Sequence, residues 1–434
     1  MISISENANK NYLAKIVKLK NINPHPNADR LQIAIIDFQS VITGLDAKEN
    51  DLYVYFPVES QINSDFLSQT NSYRDKELNQ EKDKTGFFEK NGRVRAVKLR
   101  GEKSMGYVVP LSHIEKFAGV NLRNSDHINQ EFDTIKDILL VKKYVVPVKS
   151  NPQVKKGKKP RISRLVDGQV HLHIDTENFR RNAYQVKPND MISITYKVHG
   201  TSFWVSNVLV KRKLNLIEKF FKLIGLKIQE TENDFVYGSR RVVKNEFETK
   251  KKEDFYGYDL WGEIKEDLKE FIPKGYTLYG ECVGYTKDGK WIQKNYDYGC
   301  NPGERKIYIY RITFTNEDGI VNNLSTLEVK QFCEHYNLNY VPLLYYGKAK
   351  DLFPETEHYW TENFVKFLEE NYTEKDCYIC KNQLPEEGIV IRKENLFQFE
   401  AYKLKSFKFL ELETKLLDSG EVDIEEVQSE SQVS

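Results

Sequence analysis

The sequence predicts an α+β fold in which antiparallel sheets with helices follow a small N-terminal β-barrel. Short apolar runs alternate with turn residues over the first 110 residues, a spacing typical of small barrels. The second half carries strand-like runs that each hold one or two charged residues, together with one amphipathic helical segment. At 434 residues the chain is long enough for two or three domains, each with its own core.

The barrel prediction rests on short strand-like runs separated by Pro-, Gly- and Asn-containing turns, at residues 13–17, 31–36 and 52–56. Residues 64–89 are polar and are expected to form a long loop. The segment resembles the oligonucleotide-binding (OB) barrel of the tRNA-binding-domain type. The resemblance rests on residues 25–31, which enter a strand, and on residues 98–106.

Three basic residues of this segment, Lys98, Arg100 and Lys103, would suit a groove that follows a nucleic-acid strand. The alternative is that they are ordinary solvated loop charges. A second basic segment, residues 142–164, has no Asp or Glu and several Pro residues, and we interpret it as a linker. It is either a solvated tether or a segment that neutralises backbone phosphates.

Charge and cysteine content exclude several classes of protein. Lys and Arg number 65 against 64 Asp and Glu, so the net charge is +1 and a polyanionic partner must meet local patches. Five scattered cysteines do not form a disulfide framework, and Cys377 and Cys380 form a single CxxC that holds either zinc or reduced thiols. A polar N-terminus and the lack of a membrane-length apolar stretch predict a cytoplasmic protein with no membrane partner.

The central stretch, Tyr196–Ser202, follows a strand that alternates apolar and polar residues. Alternation places Ser193, Thr195 and Lys197 on one face, and Gly200 then permits a tight turn or a close approach to a ligand. Such a lysine can act as a nucleophile if desolvation or cationic neighbours remove its proton. Lys-x-x-Gly is a common pattern, so the alternative is that Lys197 is a surface lysine before a turn. Other motifs in the chain are needed to choose between the two interpretations.

Five further runs place charged or aromatic residues on predicted strands after Lys197. Lys403 and Lys405 are two residues apart, so a strand presents both ammonium groups on one face, which is costly without an anion between them. Tyr308 and Tyr310 likewise share a face and could stack on a base. The remaining charged positions are Arg240, Glu281 and Glu387.

This order resembles that of the covalent nucleotidyltransferases, the polynucleotide ligases and mRNA capping enzymes, over residues 150–410. His199 replaces the Asp that DNA ligases and capping enzymes usually carry, and the chain ends shortly after Lys405, leaving no room for a downstream OB domain. His199 points to the RNA ligases. The predicted barrel instead precedes the catalytic domain, and this arrangement resembles that of the nick-sealing RNA ligases of the Deinococcus type. Residues 171–176 and 292–300 support this resemblance. The spacing from Gly200 to Arg240 is longer than usual, and a predicted basic helix at 214–226 fills it.

The resemblance implies an ATP-dependent RNA ligase that uses Mg²⁺ or Mn²⁺ and forms a lysyl-AMP intermediate. Adenine would lie against Tyr310, or against Tyr308 as second choice, with its edge read by the main chain near Thr195 and Lys197. The implied catalytic residues are Lys197, His199, Glu387, Lys403 and Lys405; the nucleotide-binding residues are Thr195, Lys197, Gly200, Arg240, Glu281, Tyr308, Tyr310, Lys403 and Lys405; and the metal site is Glu387 with Glu281, through water. His199 would contact the departing phosphates, or else fix the turn by a hydrogen bond.

The implied substrate is a nick with RNA on the 3′-hydroxyl side, in duplex RNA or an RNA–DNA hybrid, sealed by a monomer. A DNA ligase, a capping guanylyltransferase and a non-catalytic RNA- or tRNA-binding factor are the alternatives. The predicted divisions are an OB-type domain at 1–145, the basic linker at 146–165, the ligase domain at 166–415 and an acidic disordered tail at 416–434.

Overall fold

The computed structural model describes residues 2–123, 125–146, 164–244, 256–354, 359–394 and 398–420. We call residues 2–146 the N-terminal part and residues 164–420 the C-terminal part. Most of the predicted linker and all but the first residues of the predicted acidic tail lie outside the described residues. Among the helices described, none is both long and apolar enough to cross a membrane.

Short antiparallel strands dominate the N-terminal part. Its strands are β1 (Ile2–Ser3), β2 (Ala14–Lys18), β3 (Asn23–Pro24), β4 (Leu31–Ile36), β5 (Gln39–Gly44), β6 (Leu52–Phe56), β7 (Ser60–Ile62), β8 (Val97–Leu99), β9 (Glu102–Ser104), β10 (Tyr107–Pro110), β11 (Glu131–Phe132), β12 (Thr134–Ile135), β13 (Ile138–Leu139) and β14 (Val141–Lys143). The largest sheet has the order β10-β6-β2-β11, and the other strands pair in smaller sheets, so hydrogen bonding does not close one continuous barrel in the described residues.

Two helices pack against these strands, α1 (Ser64–Gln69) and α2 (Leu111–Ala118). The expectation that residues 64–89 form only a loop is wrong at their start. Asn63 caps α1 by accepting from the amides of its first turn, and Phe66 and Leu67 are buried in the core. A side-chain cap and two buried apolar residues are sufficient to stabilise so short a helix in its tertiary context.

The C-terminal part contains two larger sheets with helices on their outer faces. Its elements are β15 (Glu177–Asn178), α3 (Phe179–Asn182), β16 (Met191–Tyr196), β17 (Thr201–Lys211), α4 (Leu216–Leu223), β18 (Thr231–Ser239), β19 (Val242–Lys244), α5 (Leu260–Leu268), β20 (Tyr276–Gly284), β21 (Arg305–Thr315), β22 (Val321–Asn323), α6 (Thr326–His335), β23 (Leu343–Lys348), α7 (Ala349–Leu352), α8 (Trp360–Tyr372), β24 (Gly388–Lys393), β25 (Glu400–Lys405) and α9 (Phe407–Asp418).

The two sheets face each other across a cavity. One sheet has the order β19-β18-β17-β20-β21-β22 and is antiparallel throughout, and the other has the order β15-β25-β24-β16-β23, with only β15 and β25 parallel. Ile192 and Ile194 of β16 are fully buried against α3 and α8. Because side chains alternate along a strand, Ser193 and Thr195 are left facing the cavity, as the sequence predicts.

The predicted helix at 214–226 forms as α4, on the connection between β17 and β18. Asn215 and Glu218 form a capping box at its start. Its apolar side chains are exposed, with Leu216 at 84% and Phe220 at 58% of full exposure. It is therefore a surface insertion that packs little against the rest of the chain.

Helix α9 joins the N-terminal and C-terminal parts. Phe407 and Leu410 pack with Ala96 and Met105 in one buried cluster. The ammonium groups of Lys98 and Lys103 lie 5.7 and 5.1 Å from the centre of the Phe407 ring. Two of the three basic residues proposed for a nucleic-acid groove therefore contact the C-terminal part.

Candidate active site

The floor of the cavity is the inner face of the second sheet. Antiparallel pairing sets Ser193 opposite Arg392 and Thr195 opposite Val390, and it aligns β25 with β24 in the same way. The residues of this floor form three rows, and all of them except Gly388 line the cavity: Lys197, Gly388 and Lys405; Thr195, Val390 and Lys403; Ser193, Arg392 and Ala401. The cavity has a volume of about 690 Å³, enough for one nucleotide-sized ligand.

The first row forms a network of alternating charges around the buried carboxylate of Glu387. Its oxygens lie 2.8 Å from Nζ of Lys197 and 3.5 Å from Nζ of Lys405. Burial opposes ionisation of this carboxyl, but the two ammonium groups outweigh it and hold the pKa of Glu387 at about 2. Glu387 therefore remains a carboxylate throughout the neutral pH range and anchors both lysines. We call Lys197, Glu387 and Lys405 the phosphate end of the cavity.

Two further acidic residues reach the cavity from outside the predicted motifs. Glu413 of α9 lies 3.1 Å from its ammonium group and, with Glu387, raises the pKa of Lys405 against the effect of burial. Glu59 of the N-terminal part also lines the cavity, and burial followed by the charge of Glu413 raises its pKa to about 7. The N-terminal part thus contributes to one wall of the site.

Lys403 differs sharply from its neighbour Lys405. No ion pair joins it to a carboxylate among the described residues, and burial together with the nearby charges of Lys405, Arg240 and Lys197 lowers its pKa to about 7. A cluster of like charges of this kind favours an anionic ligand, because the ligand removes the repulsion. The structure therefore places Lys403 and Lys405 on the same face of β25, as their spacing of two residues predicts.

The opposite wall comes from the first sheet. Ser202 of β17 pairs with Glu281 of β20, and the Ser202 hydroxyl donates to the Glu281 carboxylate at 2.7 Å. Arg240, in the turn after β18, binds Asp175 through Nε at 2.8 Å. Arg240 and Arg241 together hold the pKa of Asp175 below its ordinary value. Arg240 and Glu281 both line the cavity, as the motif order predicts.

The two candidate tyrosines occupy different environments. Tyr310 lines the cavity, and its hydroxyl lies 2.8 Å from Nδ1 of His173, whose pKa burial lowers to about 3. Tyr308 does not line the cavity, because Tyr298 packs beside it with ring centres 6.4 Å apart. Tyr310 is therefore the tyrosine available to a bound base.

His199 and Gly200 shape the turn after Lys197. The His199 amide donates to the Tyr298 hydroxyl at 2.6 Å, and its Nδ1 lies 3.7 Å from Glu387. A side chain at Gly200 would place Cβ 2.5 Å from the carbonyl oxygen of Cys282. Glycine is therefore required here by the approach of a neighbouring strand, and the His199 side chain is left facing the cavity.

Sequence reasoning gave no role to several residues of the site. No local sequence pattern predicts that Glu413 and Glu59 belong to the site, because each reaches the cavity only through the packing of α9 on the N-terminal part. Asp175 and His173 lie in residues 171–176, which support the family resemblance but carry no assigned role in the sequence. Arg311 and Arg392 are charged residues inside apolar strands, and this unusual placement could have marked them as candidate site residues.

Two carboxylates facing the cavity, Glu281 and Glu387, could take part in binding a divalent ion. Mg²⁺ and Mn²⁺ prefer oxygen ligands, and Mg²⁺ is commonly held by one or two carboxylates together with substrate phosphates. Among the described residues, no group of three or more His, Cys, Asp or Glu side chains could hold a metal alone, and this includes the surroundings of Cys377 and Cys380. The donor set fits an ion that binds together with a nucleotide.

Comparisons with known proteins agree with this geometry. An RNA ligase family model matches residues 190–410, and an OB-fold domain model matches residues 13–111. The first match takes in both facing sheets and the cavity between them. The chain belongs to the RNA ligase family, and the predictions of an α+β fold and an N-terminal OB fold are confirmed.

Solved structures of an RNA ligase from Naegleria gruberi share the fold. One mutant with ATP and Mn is 17% identical, with a TM-score of 0.59, over 93% of this chain and 98% of that chain. A second mutant with ATP and Mn is 18% identical, with a TM-score of 0.58, over 92% and 98%. The same ligase with PPi is 16% identical, with a TM-score of 0.58, over 93% and 99%.

Proposed function

We propose that this protein is an ATP-dependent RNA ligase that joins 5′-phosphate and 3′-hydroxyl ends through a lysyl-AMP intermediate. The observation that carries the proposal is the clustering of Lys197, Glu387, Lys403 and Lys405 at one end of a nucleotide-sized cavity. The ATP and manganese bound by the Naegleria ligase support the choice of nucleotide and metal. Capping enzymes and DNA ligases share the chemistry but not the membership in this family.

In the first step Nζ of Lys197 attacks the α-phosphorus of ATP, a P–N bond forms and pyrophosphate leaves. The ammonium groups of Lys403 and Lys405 stabilise the negative charge that develops on the phosphate. Lys197 attacks in its neutral form, so its ammonium group must first lose a proton. A divalent ion bound with the phosphates at Glu387 and Glu281 would add positive charge and favour the same form.

The remaining residues would orient the nucleotide. Tyr310 would stack on the adenine, and Arg240 would hold the ribose or the 5′-phosphate of the acceptor. His199 would contact the departing pyrophosphate, since it faces the cavity beside Glu387. In the second and third steps AMP passes to a 5′-phosphate, and a 3′-hydroxyl displaces it to close the phosphodiester.

We further propose that the substrate is a nick with RNA on the 3′-hydroxyl side, in an RNA duplex or an RNA–DNA hybrid. Contact with the 2′-hydroxyl, or the A-form shape that it imposes, would provide the discrimination. We also propose that the protein acts as a monomer.

The test is transfer of label from α-labelled ATP to the protein with Mg²⁺ or Mn²⁺, followed by denaturing electrophoresis. We expect label with the natural sequence and with Lys393→Gln, which alters a neighbouring lysine outside the cavity, and none with Lys197→Ala. Sealing of matched RNA, DNA and hybrid nicks then defines the substrate. Absence of label with ATP in the natural sequence would refute the proposal, and label from GTP alone would indicate capping chemistry.

A further inference from the structure

Cys377 and Cys380 lie in the loop that connects α8 to β24, and this loop packs against the strand of the nucleophile. Cys377 is buried in one cluster with Tyr196 of β16, and Cys380 packs against the same cluster while staying partly exposed. Tyr378, between them in sequence, is 65% exposed, and its ring centre lies 5.3 Å from that of Tyr196. The pair therefore lies between the protein surface and the residue that precedes Lys197.

Hydrogen bonds hold this loop in a closed turn. The Cys377 amide donates to the carbonyl of Leu384 at 2.7 Å, so the chain returns on itself just after the second cysteine. The Lys381 amide donates to the carboxylate of Asp297 at 2.9 Å, which attaches the turn to the loop before β21. The two cysteines are thus held three residues apart within one turn, and both are free thiols.

The two sulfur atoms interact directly and have different acidities. The Cys380 thiol donates a hydrogen bond to the sulfur of Cys377, which lowers the pKa of Cys377 and raises that of Cys380. At Cys282 and Cys333, by contrast, burial raises the pKa to about 12. Because the thiolate is the reactive form of cysteine, Cys377 is the nucleophile of the pair and Cys380 is the second thiol that can resolve a product on it.

A metal ion is the other ligand that a Cys-x-x-Cys pair commonly takes. A structural zinc site needs four ligands. Within the described part of the chain, no third His, Cys, Asp or Glu side chain completes a metal-binding group with Cys377 and Cys380. The surroundings of the pair therefore fit a redox-active dithiol better than a zinc site.

Two contacts connect the pair to the turn after the nucleophile. Burial and then the charge of Cys377 raise the pKa of Tyr196, which places the sulfur close to the phenol. The main-chain amide of Tyr298 faces the sulfur of Cys380, and the Tyr298 hydroxyl accepts from the His199 amide at 2.6 Å. A disulfide brings its two sulfurs to about 2 Å, so its formation must alter at least one of these contacts.

We propose that Cys377 and Cys380 form a redox site whose reversible disulfide slows formation of the lysyl-AMP intermediate. The existence of the disulfide is independent of the proposed function, whereas its effect on the rate rests on that function. The displaced contacts lie on both sides of Lys197, and a small displacement of a nucleophile lowers the rate strongly.

The oxidant is a hydroperoxide, and hydrogen peroxide is the simplest member of this class. The thiolate of Cys377 attacks one peroxide oxygen, the O–O bond breaks, and a sulfenic acid and one water form. The sulfur of Cys380 then attacks the sulfenic sulfur, the S–O bond breaks and a second water leaves. Two thiols and one peroxide thus give one disulfide and two waters, with two electrons passing from sulfur to oxygen. A dithiol reductant restores both thiols by exchange and is itself oxidised to a disulfide.

The first experiment treats the whole protein with hydrogen peroxide, blocks the free thiols and maps disulfides by peptide mass. We expect one disulfide that joins Cys377 to Cys380, loss of two of the five free thiols, and full recovery with dithiothreitol. Lys197→Ala should form the same disulfide, because the chemistry of the pair does not need ligase activity. A disulfide to Cys300 instead, or retention of all five thiols, would overturn the proposal.

The second experiment measures lysyl-AMP formation from α-labelled ATP before oxidation, after oxidation and after renewed reduction. The oxidised protein should react at least about tenfold more slowly, and dithiothreitol should restore the rate. Cys380→Ser cannot form the disulfide and should keep its rate after peroxide. The matched control is Cys333→Ala, which removes a thiol from a different buried cluster and should respond to peroxide as the natural sequence does.

Equal rates for the oxidised and reduced protein would overturn the proposal, as would a peroxide-dependent loss in Cys380→Ser as large as that of the natural sequence. Thermal unfolding checks that both variants fold, and the disulfide map and the reversal by dithiothreitol need no variant. Failure of the proposed function is a separate result: the reduced protein then gives no label with ATP, and the disulfide map still decides whether the redox site exists.

Discussion

Buried arginines have different surroundings at the interface of the two parts and beside the Ser193 row of the cavity. At the interface, both terminal nitrogens of Arg93 have acceptors: Glu59 at 3.3 Å, and the carbonyl of Thr414 at 2.9 Å with Asp418. In the cavity, where Arg392 lies opposite Ser193, Nη1 of Arg311 and Nη1 of Arg392 have no acceptor among the described residues. The terminal nitrogens of Arg93 are thus compensated within the chain, although its Nε is not, whereas the two cavity arginines each keep a terminal nitrogen that a ligand could satisfy.

The largest effect should come from the phosphate end, where a substitution removes chemistry rather than stability. Lys197→Ala should lower lysyl-AMP formation by at least about a thousandfold, because no other group supplies the nucleophile. Its unfolding midpoint in denaturant checks that the variant still folds, since Glu387 loses one of its two ammonium partners but keeps Lys405. If Lys197→Ala still became labelled, another residue would be the nucleophile and this assignment would be wrong.

The reverse is expected at the interface. Arg93→Ala should lower the free energy of unfolding by about 3–5 kcal/mol, because Glu59, the buried carbonyl of Thr414 and Asp418 lose their shared donor at once. The matched control is Arg95→Ala, whose partners lie 3.5 and 3.9 Å away at a more exposed position, with an expected loss below about 1 kcal/mol. Urea unfolding measures both, and equal losses would remove the distinction drawn between the two regions.

Lys403 should make nucleotide binding depend on pH. Its pKa of about 7 lies below the ordinary value, so it is neutral above pH 7 in the free protein and must take up a proton to meet a phosphate. Affinity for ATP should therefore fall as the pH rises from 7 to 9, by up to about tenfold per unit. Lys403→Met should flatten this dependence, and isothermal titration in two buffers should show proton uptake only for the natural sequence.

The linked effect on stability has the opposite sign. Above pH 7 the unfolded chain keeps a proton on Lys403 that the folded chain releases, so this group adds stability as the pH rises from 7 towards 10.5. A Lys403→Met variant whose stability rises with pH as steeply as that of the natural sequence would contradict the low pKa.

The smallest effect is expected at α4, where apolar side chains are exposed. Phe220→Ser should change the free energy of unfolding by no more than about 0.5 kcal/mol, because the ring is 58% exposed. Phe364→Ala in α8, a fully buried position, should cost about 3–5 kcal/mol in the same assay. A large loss for Phe220→Ser would mean that the helix packs in a way the described residues do not show.

Local patterns were sufficient for the order of the site residues and for one face of the floor. Side chains alternate along any strand, so Ser193, Thr195 and Lys197 could be assigned to one face from sequence alone, and the structure confirms it. The same alternation predicted that Lys403 and Lys405 lie on one face of their strand. The rule was incomplete for Tyr308, because the loop that carries Tyr298 covers it.

Tertiary structure alone decided which residues meet across strands and between the two parts. Arg392 lies opposite Ser193 only because β16 pairs with β24, and Arg311 joins them only because the two sheets face each other. Glu413 reaches Lys405 through the packing of α9. Alternation is a local property of the backbone that sequence determines, whereas register and the contacts between layers depend on the burial of distant apolar residues, which no local pattern encodes.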